Sequence, residues 1–160
     1  MRQTDSTDFG YKHALEERRG NVLHHHTGTT YDPWRHAAEL RVDVLEHPLP
    51  PGNRGHYYHR ERLIILSPKL TARQARVTLT HEVMHAVRGD QWTPNPLATA
   101  RTERIVNTLT ALQLVTVGDY ARAEAIHGPH DAAIAHELDV TRDVVMLWRA
   151  VVLNEIEQAA

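Results

Sequence analysis

With 160 residues, 41% of them hydrophobic, the chain has the length and composition of one globular domain, and the lack of cysteine excludes disulfides, thiolate metal sites and cysteine nucleophiles. Eighteen basic against twenty acidic residues give a formal charge of −2, which disfavours broad electrostatic binding to nucleic acid. No apolar run approaches the roughly 20 residues that span a bilayer, and the start Met-Arg-Gln-Thr-Asp-Ser has no apolar segment behind it, so a cytoplasmic location without membrane association is expected.

Histidine is over-represented, with 13 residues, and three of them, His24, His25 and His26, fall in a polar stretch that reads as weakly structured over residues 1–30. Asp32-Pro33 is the first confident helix start, because Asp caps well and Pro suits the first helical position. Val42 to Leu45 reads as a strand, and Pro48, Pro50, Pro51, Gly52 and Gly55 mark a long turn. Tyr57-Tyr58 opens a second extended segment and Leu63-Ile64-Ile65-Leu66 a short buried strand, with a hairpin between them. Thr71 and Gln74 form a capping box for a helix that runs to about Val87 and ends at Gly89. After a loop over residues 90–96, a second long helix is expected from about Ala98 to Val115, then three shorter helices beginning near Asp119, Asp131 and Thr141. The fold class is therefore α+β, with a small antiparallel sheet from residues 42–66 packed by two long helices.

The capped helix contains His81-Glu82-Val83-Met84-His85. Residues four apart share a helix face, so both imidazoles can reach one metal ion, and Zn²⁺ suits two histidines and a carboxylate. Glu82 lies about 100° round the helix, where it can take a proton from a water acidified by the metal. A third donor is needed. The longer pattern HExxHxxGxxH fails, since Arg88 and Gln91 stand at its glycine and final histidine. Glu103 on the next long helix, Asp90 and a distant histidine are the alternatives, with Glu103 preferred. Asn107 lies four residues beyond Glu103 on the same face and can orient it by hydrogen bonding. His56, Tyr57, Tyr58 and His59 precede this helix as candidates for contacts with an extended peptide or for donation to a developing oxyanion.

These residues resemble the ImmA/IrrE family of metallopeptidases, particularly its short actinobacterial and phage forms. The resemblance runs from Asp32 to about Val152 through Asp-Pro-Trp-Arg-His-Ala-Ala-Glu-Leu at 32–40, the hairpin ending in Ile-Ile-Leu, Thr-Leu-Thr-His-Glu-Val-Met-His-Ala-Val-Arg-Gly-Asp at 78–90, and Glu103-Arg-Ile-Val106-Asn107. It implies a zincin-like core over 31–117, with a short helix-turn-helix-like tail over 118–160 packed on it. It further implies Zn²⁺ ligands at His81, His85 and Glu103, with Glu82 as base. The substrate class it implies is a helix-turn-helix repressor of prophage, mobile-element or stress genes. The apolar-proline segment common after the second helix is missing here, where Ala111 to Val115 leads to Thr116 and Gly118.

The tail from Ile134 to Trp148 has helix-turn-helix grammar, which suggests an alternative class: a DNA-binding or protein-binding regulator with a non-catalytic metal site. Residues 131–157 hold two arginines and no lysine against six acidic residues, the wrong sign for a helix pressed on phosphates. The tail is expected to pack on the core. Trp34 and Trp148 are expected in the core, and Trp92 is a candidate loop lid over the site.

Overall fold

A computed structural model describes residues 31–159, with side chains described through Glu155; the segment 1–30 and its histidine trio lie outside the described residues. Helix α1, Pro33–Glu39, starts where Asp32 Oδ1 accepts from the backbone N–H of Trp34 at 2.9 Å and of Arg35 at 3.2 Å. Strands β1 (Asp43–Glu46), β2 (Gly55–Tyr58) and β3 (Leu63–Leu66) follow, then α2 (Ala72–Arg88) and α3 (Pro96–Leu114). The tail holds α4 (Val117–His127), α5 (Asp131–Glu137) and α6 (Arg142–Ala159). The class is mixed α+β. No helix of the described residues is long and apolar enough to cross a membrane.

The sheet differs from the antiparallel one expected. Its order is β1-β3-β2, with β2 antiparallel to β3 but β1 parallel to β3. The physical reason lies in β3, whose four residues are all buried and so need a partner on each edge and cover on each face. The link from β1 to β2 is too long and too rich in proline for a tight hairpin, and instead sends Leu49 over the outer face beside Leu63 and Ile65. Ile64 and Leu66 point the other way, by the two-residue period of a strand, and meet Leu79, Val83 and Met84 of α2 with Val106 of α3. This leaves β2 as an edge strand next to α2.

Both long helices are started by side-chain caps. Thr71 and Gln74 form the reciprocal box, at 3.0 and 3.3 Å. Helix α3 starts two residues before the expected position, because Asn95-Pro96 repeats the capping logic of Asp32-Pro33, with Asn95 Oδ1 accepting from Leu97 and Ala98. The tail corrects a second expectation. Its last helix is not short: α6 spans 18 residues, since Val144, Trp148 and Val152 continue a four-residue apolar spacing with no glycine or proline to stop it. Trp148 is buried and stacks on Tyr120, whereas Trp34 is only partly buried.

The tail is bolted to α2. Arg76, 5% exposed, donates through Nη1 to the backbone carbonyl of Asp139 at 3.0 Å, and Arg73 Nε meets the Asp139 carboxylate at 3.2 Å. Asp139 holds φ at +50°, a conformation that Asp tolerates, and this turns the chain from α5 into α6.

Candidate metal centre

Helix α2 delivers His81 and His85 one turn apart, and α3 brings Glu103 across to face both. His81 Nε2 lies 3.2 Å from Glu103 Oε2, His85 Nε2 lies 3.3 Å from Glu103 Oε1, and the two imidazole Nε2 atoms are 3.1 Å apart. Three donors around one tetrahedral ion at about 2.0–2.1 Å stand about 3.3 Å from each other, so the group has the spacing to hold a metal.

The protonation chemistry supports the same fit. Asp90 Oδ2 sits 3.0 Å from His85 Nδ1 and can only accept, so the His85 proton belongs on Nδ1 and Nε2 presents a bare lone pair to the triad. That lone pair faces another ring nitrogen and a carboxylate, an arrangement that a shared cation relieves. Asp90 is itself fixed by Arg88 Nε at 2.9 Å. The turn that makes this reach possible is Gly89, at φ +68°, which ends α2 and folds the chain back so that the Asp90 N–H donates to the His85 carbonyl. Among the described residues the donor group is thus His81, His85 and Glu103; Asp90 acts on the far nitrogen of His85. Asn107 hydrogen-bonds the His81 ring, so it orients that imidazole. Burial depresses the His81 pKa, as does neighbouring His85, which keeps the ring neutral and able to ligate.

Glu82 is buried at 7% exposure beside the triad. Its pKa is pushed up to about 8, first by burial and then by the charge of Glu103, against a lowering hydrogen bond from the Tyr57 backbone. That bond ties Glu82 to the edge strand. The ladder bond from Ser67 N–H to the Arg54 carbonyl sets the alternation along β2, which turns the backbone groups of Gly55 and Tyr57 away from β3 and towards the open edge. Gly55 is what lets strand and helix approach so closely. A Cβ there would stand 2.6 Å from Thr78 Cγ2 and 3.1 Å from Glu82 Cγ.

The other expected residues separate by strand period. Tyr57 buries its ring in the core, with its hydroxyl accepting from Arg62 Nη1 at 3.3 Å, so it offers the site its backbone. His56 and Tyr58 share the opposite side of β2 and stack edge to face at 4.6 Å. Burial lowers the His56 pKa and His85 lowers it further, against a raising effect of Glu103; burial raises that of Tyr58, which stays a phenol. His59 lies in the turn after β2, its ring against Tyr57. All four border a cleft of about 1110 Å³ that also takes in the triad, Glu82 and Trp92, a residue 82% exposed on the loop before α3.

The family model of the IrrE N-terminal-like domain, a peptidase family, matches residues 37–146. The chain belongs to this family. The match covers the sheet, both long helices and the start of α6, so the IrrE-type domain here includes the tail helices α4 and α5 as well as the donors. No curated protein matches the chain. Two features of this IrrE-type site escape a motif reading. Asp90 weighs in sequence only as a rival ligand, although the Gly-Asp pair just past the second histidine was the available signal. Residues of α6 reach the cleft with no local signal at all.

Proposed function

We infer that this IrrE-type peptidase is a zinc-dependent endopeptidase of the zincin kind, acting in the cytoplasm on a helix-turn-helix repressor. The observation that carries the reading is the convergence of His81, His85 and Glu103 within 3.3 Å, with buried Glu82 beside them at the mouth of an open strand edge. His81 and His85 through Nε2 and Glu103 through its carboxylate would hold the ion. Zinc there supplies a Lewis acid that polarises a carbonyl and makes water acidic near neutral pH.

The remaining work falls to the chain. An extended peptide pairs with those outward backbone groups of β2 that Glu82 does not engage, which orients its scissile bond over the triad. A cation held by the triad would favour the ionised form of Glu82, whose pKa burial otherwise raises; the carboxylate then takes a proton from the attacking water and returns it to the amine nitrogen as the C–N bond breaks. His56 and Tyr58, at the edge of β2, are the side chains placed to donate to the developing oxyanion. The choice of a repressor follows from the family resemblance.

The competing reading is a regulator with an inert metal site, and the α5–turn–α6 pair favours it. Charge weighs against it as a DNA binder: the two arginines of α6 both lie near Asp131, Arg149 at 2.7 Å and Arg142 at 3.8 Å, and Arg122 of α4 pairs with Asp119, so the tail presents no excess of positive charge. A structural site also has no need of a glutamate buried next to the donors. The deciding experiment is co-expression with repressors encoded beside the gene. Cleavage at one site by wild type and none by Glu82→Gln supports the peptidase; equal results for both contradict it.

A further inference from the structure

The cleft does not stop at the metal donors. Its lining also takes in Val77 of α2, Thr110 of α3 and, from the tail, Thr141, Asp143, Val144 and Leu147, with Val77 and Leu147 partly buried against the tail core and Thr110 and Val144 buried. Val77 precedes His81 by four residues and therefore shares its face, about 6 Å along the helix axis. Thr110 is two turns beyond Glu103 on α3. Its hydroxyl donates to the Val106 carbonyl at 2.8 Å, which occupies its polar group and leaves the methyl as wall. Val77 and Leu147 are large and apolar yet only partly buried. None of Val77, Thr110, Val144 and Leu147 is charged, so an ionised group placed among them would lack a partner.

We propose that this end of the cleft is a side-chain pocket for a bulky aliphatic or aromatic residue of the peptide substrate, one or two positions from the scissile bond. The proposal rests on the peptidase reading of the metal end and deepens it. The spacing follows from the rise of an extended chain, about 3.3 Å per residue, against the 6 Å between the His81 and Val77 levels. It makes the tail a specificity element. Helix α6 is held at its N-terminal turn by the Arg76 and Arg73 contacts with Asp139, so the wall is set rigidly relative to the donors. An apolar pocket of this kind discriminates by about tenfold or more between a fitting aliphatic residue and a polar one.

Two readouts on the zinc-loaded full chain test the proposal. In the first, wild type, Leu147→Ala and Leu147→Phe digest a degenerate decapeptide library, and the cleavage sites are sequenced by mass spectrometry. Wild type should enrich Leu, Ile, Phe or Met about tenfold over Asp at one fixed position within two residues of the cut. Leu147→Ala should shift that preference to larger residues, and Leu147→Phe to smaller ones. A flat profile, or one unmoved by both variants, overturns the proposal. In the second, methyl NMR spectra of Glu82→Gln are recorded with peptide pools carrying a central Leu or a central Asp. Shifts of the Val77, Val144 and Leu147 methyls with the Leu pool alone support the pocket; no shifts, or equal shifts with both pools, overturn it. Absence of any cleavage by zinc-loaded wild type would instead remove the peptidase reading, while the methyl shifts still decide the pocket.

Discussion

Along the cleft, His81, Glu82 and His85 come from a single helix and Glu103 from its immediate neighbour, while Val77 and Thr110 of those same helices share the lining with Val144 and Leu147 of α6. The metal end is polar, and its imidazoles are oriented by second partners, Asp90 on His85 and Asn107 on His81. The tail end is apolar, and its geometry depends on Arg76 gripping the turn before α6. The donor group is thus encoded locally, largely by spacing on one helix, whereas the proposed side-chain pocket is assembled across the whole fold. The two ends should fail separately.

The largest expected effect belongs to Glu82. Its folded pKa of about 8 lies above the ordinary value of 4.5, so the folded, metal-free chain binds this proton more tightly than the unfolded one. The resulting stability is complete below about pH 4.5 and is lost as pH rises through about 8. In EDTA, urea unfolding of wild type should lose on the order of 3 kcal/mol more than Glu82→Gln between about pH 5 and 9. Parallel pH profiles would show that Glu82 is not buried against the strand edge.

Next comes the tail end. Arg76→Met removes a buried donor and its hydrogen bond to the Asp139 carbonyl, at a cost of about 2 kcal/mol. Hydrogen exchange should speed up over residues 141–147 while zinc affinity stays within about twofold, since no donor residue has moved. A large loss of affinity would mean that the two ends are one cooperative unit.

The smallest effect on stability, and a selective one on the metal, is expected from Asp90→Asn. An amide fixes the His85 tautomer less firmly than a carboxylate, so zinc affinity should fall about 10–100-fold with the fold intact. Competitive titration against a chelator measures it. Unchanged affinity would leave Asp90 as a helix-end contact only.

This division explains what could be read from sequence. The helices were legible where capping chemistry is local: Asp32-Pro33, Thr71 with Gln74, and Gly89 each satisfy backbone groups within a few residues. The grouping of His81, His85 and Glu103 was legible from a four-residue spacing plus one glutamate on the following helix. The parallel pairing of β1 with β3 was not legible, because strand order depends on which strand needs both edges covered, a property of the whole sheet. The length of α6 is not set at its start near Thr141 but by Val144, Trp148 and Val152, whose spacing gains meaning only against the rest of the tail core. Gly55 read as turn punctuation; only the approach of Thr78 and Glu82 shows why a side chain has no room there. The apolar end of the cleft needed the tertiary contacts of Asp139 before Val144 and Leu147 could be placed near Val77.

The central claim is that holding the metal and moving the proton are assigned to different residues of one site. Equilibrium dialysis against Zn²⁺ on wild type, Glu103→Ala and Glu82→Gln, with peptide cleavage followed in the same samples, tests it directly. Wild type should bind one zinc and cleave, Glu82→Gln should bind one zinc and not cleave, and Glu103→Ala should lose affinity by roughly a thousandfold or more, because two ligands hold zinc poorly. Tight zinc binding by Glu103→Ala, or undiminished cleavage by Glu82→Gln, would contradict the account.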